Sequence, residues 1–219
     1  MHAHEQSPDF VPALGYHWLT RFYDPLVALT LRERALKQQL VDQAGLRPGH
    51  AVLDFGCGTG TLALLLKRAC PEARVVGVDA DPTVLALARR KIDDAGLAIE
   101  LHQGFLTAET FPPASFDRIV STLVLHHLTH DEKLATLAVL RGLLRAGGEL
   151  HVADFGAPRS AYARLVTHVF RHFDGAQRTA DNLGGHLASV VVAAGFNAVA
   201  VVGHFGTPFG TVEFLRAQV

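Results

Sequence analysis

The sequence predicts a doubly wound α/β domain, on three observations. Short apolar runs ending in glycine or aspartate alternate with stretches of helical periodicity, the pattern of parallel strands joined by helices. One such run, Val52 to Phe55, stops at the alternate glycines Gly56, Gly58 and Gly60. Nineteen residues after Gly60, a second run, Val75 to Val78, ends at Asp79. In open sheets of this kind the ligand lies at the carboxyl ends of the strands, which is where the glycines and the aspartate fall.

Residues 1 to about 15 are polar with two prolines and read as a tail. From Tyr16 to Ala44, Leu19, Phe22, Leu26, Leu29, Leu36 and Leu40 recur at helical spacing; Pro25 divides the pattern into two helices and Gly45 ends the second. Residues 1–45 are thus expected to be a tail and a helical cap, rich in aromatic side chains (Tyr16, Trp18, Phe22, Tyr23). After a turn at Arg47-Pro48-Gly49 comes the central unit, 46–154. Leu62, Leu65, Leu66 and Ala69 mark the helix behind the glycine loop. Asp81-Pro82 opens the next helix, lined by Val84, Ala88 and Ile92 and closed by Gly96. Ala98 to His102 is expected as strand three, with Gly104-Phe105-Leu106 as its exit, and Phe116 to Leu123 as strand four. Thr129-x-x-Glu132 predicts a capping box at the start of a helix that stops before Gly147-Gly148. Glu149 to Asp154 completes the core as strand five.

Residues 155–219 are expected to carry substrate-side helices at 161–173 and 187–194, with a polar loop at 174–185 between them. Two final strands follow, Asn197 to Val202 and Thr211 to Leu215. The connection between them is too short for a crossover, so the pair must be an antiparallel hairpin. The whole chain, 1–219, is expected to form one domain.

The glycine spacing is Gly-x-Gly-x-Gly, and Thr61 stands where a dinucleotide fingerprint needs its third glycine. A carboxylate at the tip of strand two, Asp79, can accept both hydroxyls of a ribose. Together these point to a nucleoside cofactor without a pyrophosphate. The chain of 219 residues is 49% hydrophobic and 19% charged, with a formal net charge of −1 and no basic block, which argues against nucleic acid as partner. No apolar run is long enough to span a bilayer, and the first residues lack the pattern of a secretory leader. Two cysteines, Cys57 and Cys70, suit buried thiols better than a disulfide framework, so a cytoplasmic protein is expected.

Five blocks in order resemble the class I S-adenosylmethionine-dependent methyltransferases, in particular the small-molecule branch that includes ubiquinone/menaquinone C-methyltransferases. They are Leu53-Asp54-Phe55-Gly56-Cys57-Gly58-Thr59-Gly60, Gly77-Val78-Asp79, Ser115-Phe116-Asp117-Arg118-Ile119-Val120, Leu125-His126-His127-Leu128 and Leu143-Leu144-Arg145-Ala146-Gly147-Gly148-Glu149-Leu150. The resemblance implies a Rossmann-like sheet of seven strands, mostly parallel with an antiparallel last strand. It implies S-adenosylmethionine as cofactor, S-adenosylhomocysteine as product, and a helical lid. Carried over residue by residue, it implies a cofactor site of Asp54, Gly56, Cys57, Gly58, Thr59, Gly60, Asp79, Ala80, Gly104, Phe105, Leu106, Thr122, Leu123 and Tyr23. Phe105 is a departure: the position often holds an acid for the adenine amino group, whereas phenylalanine can only stack on the base or wall it off.

Just past strand four, His126 is a candidate general base or substrate-positioning group, its plainer reading being a packed helix-edge histidine. Tyr16, Trp18, His127, Phe155, His172 and Phe173 are the expected substrate pocket, suited to a small apolar or aromatic acceptor. His168-x-x-x-His172 has the spacing of a metal pair but no evident third ligand, and no metal is expected. No block matches amino-methylating nucleic-acid enzymes, which carry a Pro-Pro-aromatic run after strand four, where this chain reads Ser121-Thr122-Leu123-Val124. A nicotinamide-dependent oxidoreductase and a non-catalytic cofactor-binding protein remain as alternatives. The acceptor atom and the oligomeric state stay open.

Overall fold

A computed structural model describes residues 33–170 and 176–219, except for the side chains of 166–170, 176 and 177. Tyr16, Trp18, Tyr23, His172 and Phe173, and the first cap helix, lie outside the described residues. The elements run α1 (Glu33–Ala44), β1 (Ala51–Phe55), α2 (Thr61–Ala69), β2 (Arg74–Asp79), α3 (Pro82–Ala95), β3 (Glu100–Gln103), β4 (Phe116–Thr122), α4 (His130–Leu143), β5 (Leu144–Phe155), α5 (Ala161–Phe170), α6 (Ala176–Leu183), α7 (Leu187–Ala193), β6 (Asn197–Thr207) and β7 (Gly210–Gln218). A single 3₁₀ turn, Leu125–His127, follows β4.

The seven strands are ordered β3-β2-β1-β4-β5-β7-β6. β1 pairs in parallel with β2 and β4, β2 with β3, and β4 with β5, while β7 is antiparallel to both β5 and β6. The order reverses between β1 and β4, and the crevice at that switch point is where a ligand fits. The central strands β1 and β2 are buried on both sides, because both faces of the sheet are covered there. On one face Val52, Val75, Val120 and Phe214 pack against Leu36 and Leu40 of α1 and Leu62 and Leu66 of α2. On the other, Leu53, Val76, Ile119 and Leu150 meet Leu137 and Leu140 of α4 and Val190 and Val191 of α7.

The expected helix starts are present. Asp81 caps α3, its side chain accepting from Thr83 N at 2.7 Å. Thr129 and Glu132 form the complete capping box of α4, with Thr129 N donating to Glu132 at 2.7 Å. Several boundaries differ from expectation: β3, expected from Ala98 to His102, runs from Glu100 to Gln103. β5 begins at Leu144, and a register shift between Phe116 and Arg118 on β4 lets it run through Gly147-Gly148 rather than start after them. The hairpin strands extend to Thr207 and from Gly210, so only Pro208 and Phe209 turn, with the Thr207 hydroxyl accepting from Phe209 N at 3.1 Å. The segment expected as a loop at 174–185 contains α6. Its sequence is polar, but Thr179 and Asn182 are buried, and Lys133 of α4, itself fully buried, bonds its carbonyl at Arg178 (2.6 Å). Contacts from another helix overrode weak local propensity.

Beneath α1, the imidazole of His151 is completely buried. Its Nδ1 lies 3.1 Å from Gln43 Nε2, and its Nε2 lies 3.2 Å from the Glu149 carboxylate. Burial drives its pKa down, against the pull of Glu149. In the unfolded chain the same group titrates near about 6.5. Below that pH the unfolded chain takes up a proton that the folded chain refuses, so this histidine's contribution to stability falls as the solution is acidified. Replacing His151 by glutamine is therefore expected to shrink the drop in Tm between pH 7 and pH 5, read by thermal unfolding in circular dichroism. An unchanged drop would show that the acid sensitivity lies elsewhere.

Candidate active site

The glycine loop is tied down by its own backbone. Gly56 N and Cys57 N donate to Val78 O (2.9 and 3.0 Å), and Gly58 N donates to the Asp79 carboxylate (2.8 Å). The other Asp79 oxygen accepts from Asp81 N at 3.0 Å. Asp79 thus joins the tip of β2 to the loop after β1, and burial raises its pKa against these hydrogen bonds. Gly56 has φ 69°, and a Cβ there would come within 2.3 Å of Val124 Cγ2, so no other residue fits. Gly58, at φ 52°, has open space where its Cβ would be, a bare stretch of backbone that a ligand can approach.

Other expected cofactor residues offer less than their side chains suggest. Cys57 is buried, a Cβ added to Gly77 would lie 2.9 Å from its Sγ, and burial pushes its thiol pKa up. The Thr59 hydroxyl is buried and accepts from Lys91 Nζ at 2.9 Å. Gly60, at φ 76°, stands in the N-cap position of α2. At the end of β3, Gly104 N donates to Asp79 O (2.9 Å), Leu106 packs on the core, and Phe105 is 58% exposed. Ala80 is half-buried at the end of β2, beside Asp79.

Asp54, on β1, is 1% exposed and one of its oxygens, Oδ2, has no hydrogen-bond partner. Burial pushes its pKa up to about 7, with Lys37 and the Ala63 N–H pulling it down. Across the switch point, Thr122 Oγ1 at the end of β4 is likewise buried without a partner. Leu123 then takes φ 55°, unusual for a branched residue, with its N–H on Ala153 O at 2.9 Å. That kink turns the chain into Leu125–His127.

Asp154, the last acid of β5, was not among the sequence candidates, and it organises this turn. It is fully buried. Its Oδ2 accepts from Val124 N (3.1 Å) and Leu125 N (2.7 Å), and its Oδ1 accepts from His126 Nδ1 (2.7 Å) and Phe155 N (2.7 Å). Burial alone would raise its pKa, but the His126 ring and the Phe155 N–H outweigh it and hold the group below the ordinary carboxylate range. An ionised Asp154 can only accept, so Nδ1 of His126 must carry a proton, and in the neutral ring the lone pair lies on Nε2. Among the described residues Nε2 has no hydrogen-bond partner. The ring is 4% exposed, with the Phe155 ring edge-on at 4.9 Å and the His127 ring at 3.9 Å. His127 is half-buried, and burial and the neighbouring imidazole press its pKa down to about 4, so it is neutral at pH 7. No cluster of metal-binding side chains occurs among the described residues.

One end of the crevice therefore offers a carboxylate at a strand tip, bare glycine backbone and two unpaired buried oxygens. The other offers a histidine held by a buried aspartate. That first half fits a nucleoside carrying an ammonium group: Asp79 for hydroxyls, Asp54 Oδ2 for a cation, Gly58 for close approach.

A family model described as "Methyltransferase domain" matches residues 52–148. A demethylmenaquinone methyltransferase of Thermus thermophilus is 32% identical over 84% of this chain and 78% of its own length. The chain belongs to the class I S-adenosylmethionine-dependent methyltransferases. It is thus an enzyme that uses S-adenosylmethionine, and neither alternative reading is favoured. A ubiquinone/menaquinone biosynthesis C-methyltransferase of Bordetella avium is 35% identical over 56% of this chain, which spans 47% of that relative. A crystal structure described as a SAM-dependent methyltransferase from Aquifex aeolicus superposes with a TM-score of 0.67 over 92% of this chain and 97% of the other; at 17% identity that likeness concerns the fold alone. In this methyltransferase no described helix is long and apolar enough to cross a membrane.

Proposed function

We propose that this methyltransferase methylates a small, apolar or aromatic acceptor whose reacting group must lose a proton, and that His126, set by Asp154, takes that proton. The Asp154–His126 pair is the observation that carries the reading. A base with a fixed tautomer and an open Nε2 serves a hydroxyl, whose lost proton leaves either its own oxygen or the adjacent ring carbon nucleophilic toward the methyl group. The names of the relatives agree with such chemistry, since quinone-type acceptors in their reduced form carry such hydroxyls.

When bound, the cofactor supplies a methyl group on a positively charged sulfur, and little covalent help is needed from the protein. What this chain contributes is position. Asp79 would hold the ribose hydroxyls and Asp54 Oδ2 the ammonium. The main chain at Gly56, Cys57 and Gly58, with Thr122 and Leu123, would hold the methionine portion. Ala80, Phe105 and Leu106 would hold the adenine. Phe155 and His127 form the aromatic wall on the acceptor side, and residues 155–219 provide the rest of that side. The net charge of −1 and the lack of a basic block argue against a nucleic-acid acceptor, and two free, buried cysteines support a cytoplasmic enzyme.

The test is methyl transfer from isotope-labelled S-adenosylmethionine to a panel of naphthohydroquinone, a catechol and a primary amine, read by mass spectrometry. Methylation of the hydroxylated aromatics, faster as pH rises to a plateau, is the expected result. Methylation of the amine alone would overturn the acceptor class.

A further inference from the structure

The chain has no basic run, yet folding brings three cations to one cavity. Arg34 of α1, Arg68 of α2 and Lys91 of α3 line a space of about 260 Å³. Between them Leu64 and Leu65, each 9% exposed, give it an apolar floor, and Thr61 adds a hydroxyl. The one acid among the lining residues, Glu33, is already paired with Lys37 a turn further along α1. Three positive charges therefore face a carboxylate that a fourth neutralises. Arg34 and Arg68 are exposed, and neither guanidinium has a hydrogen-bond or ion-pair partner among the described residues.

This cavity lies outside the crevice already described. Thr61, Leu64, Leu65 and Arg68 form a single stripe of α2. Seven residues of helix carry that stripe about 10 Å away from the glycine loop. The acceptor side is remote too: α1 and α2 cover one face of the sheet, whereas Leu125, beside His126, packs into the core on the other. One wall does meet the loop, since Lys91 Nζ donates to Thr59 Oγ1 at 2.9 Å.

We propose that this cavity binds a small, soluble phosphate ester or diphosphate. Arg34, Arg68 and Lys91 supply the charge, and Thr61 a hydroxyl donor. A guanidinium meets a phosphate with two parallel N–H bonds, and a group carrying two or more negative charges matches the surplus of cations here. Volume limits the size. At about 260 Å³ the cavity falls just below the ~300–1,000 Å³ of sites for drug-sized ligands, so it takes one phosphorylated fragment whose carbon part rests on Leu64 and Leu65. Neither S-adenosylmethionine nor its product carries phosphate, so the ligand is a third component. A free metabolite suits the site better than a lipid headgroup. None of the exposed large apolar side chains among the described residues, such as Phe105, Tyr162 and Leu165, lines the cavity to enter a membrane.

The probe is inorganic pyrophosphate, titrated by calorimetry into the full chain saturated with S-adenosylhomocysteine, which keeps the crevice filled. Wild type is expected to bind one equivalent, and Arg34→Gln and Arg68→Gln each to weaken it about tenfold. Both side chains are exposed, so neither change endangers the fold, and affinity for S-adenosylhomocysteine should stay within about twofold. Arg89→Gln removes the same charge from α3 outside the cavity and is expected to leave pyrophosphate binding unchanged. No binding by wild type, undiminished binding in both cavity variants, or an equal loss in Arg89→Gln overturns the proposal. Sedimentation with phosphatidic acid vesicles in the absence of pyrophosphate binding would point to a lipid surface and overturn it as well.

Discussion

Replacing His126 by alanine is expected to lower kcat/KM by roughly 10²- to 10⁴-fold, the range supplied by a positioned general base, while affinity for S-adenosylhomocysteine stays within about twofold. The second half of that expectation separates a base from a packing residue. His126 touches Asp154, His127 and Phe155, all on the β4–β5 side of the crevice, whereas Asp79 and the glycine loop lie on the β1–β2 side. Asp154 is the positioning partner, and its conservative variant is informative. Asp154→Ala would strand the N–H groups of Val124, Leu125 and Phe155 and endanger the fold. Asp154→Asn keeps an acceptor for some of them but no longer imposes the Nδ1–H tautomer. It should lose kcat, keep cofactor affinity, and alter the pH profile. Equal loss of cofactor binding in both variants would mark the pair as structural.

Replacing Asp79 by alanine is expected to weaken S-adenosylhomocysteine binding roughly 10- to 150-fold, which corresponds to about 1.5–3 kcal/mol for charged hydrogen bonds removed from a partly buried site. Two losses act together. In the proposed placement the ribose hydroxyls lose their acceptor, and Gly58 N and Asp81 N lose theirs, so the carboxylate no longer fastens the glycine loop to β2. Asp79→Asn retains one oxygen and should fall between the two. Calorimetry gives the answer directly: unchanged affinity in Asp79→Ala would remove this carboxylate from the cofactor site.

Features with a local cause were legible in the sequence. The glycine spacing, the Asp81-Pro82 start and the Thr129–Glu132 box each depend on residues within a few positions, and all are present. So was the sheet order's consequence, because alternating strands and helices leave few topologies. In the site's second half His126, His127 and Phe155 were legible as candidates, but the distant partner that sets His126 was not. Asp154 is 28 positions from His126, and nothing in the run Val152-Ala153-Asp154-Phe155 announces which imidazole it will hold, although a strand-end acid is the same signal that singled out Asp79. Thr59 matched a cofactor-contacting position, yet its hydroxyl is engaged by Lys91, 32 positions on. α6 was expected as loop because its residues are polar and glycines follow it; a buried lysine 45 positions before Arg178 holds it as a helix.

Whether His126 can act as a base turns on where its proton sits. Nitrogen-15 NMR of the imidazole, assigned by comparison with His126→Ala, reads this without substrate. The expected result for the neutral ring is a proton on Nδ1, shifted downfield by the 2.7 Å hydrogen bond to Asp154, and an unprotonated Nε2. A proton on Nε2 with a bare Nδ1 would contradict the account, because that ring could not take a proton from an acceptor.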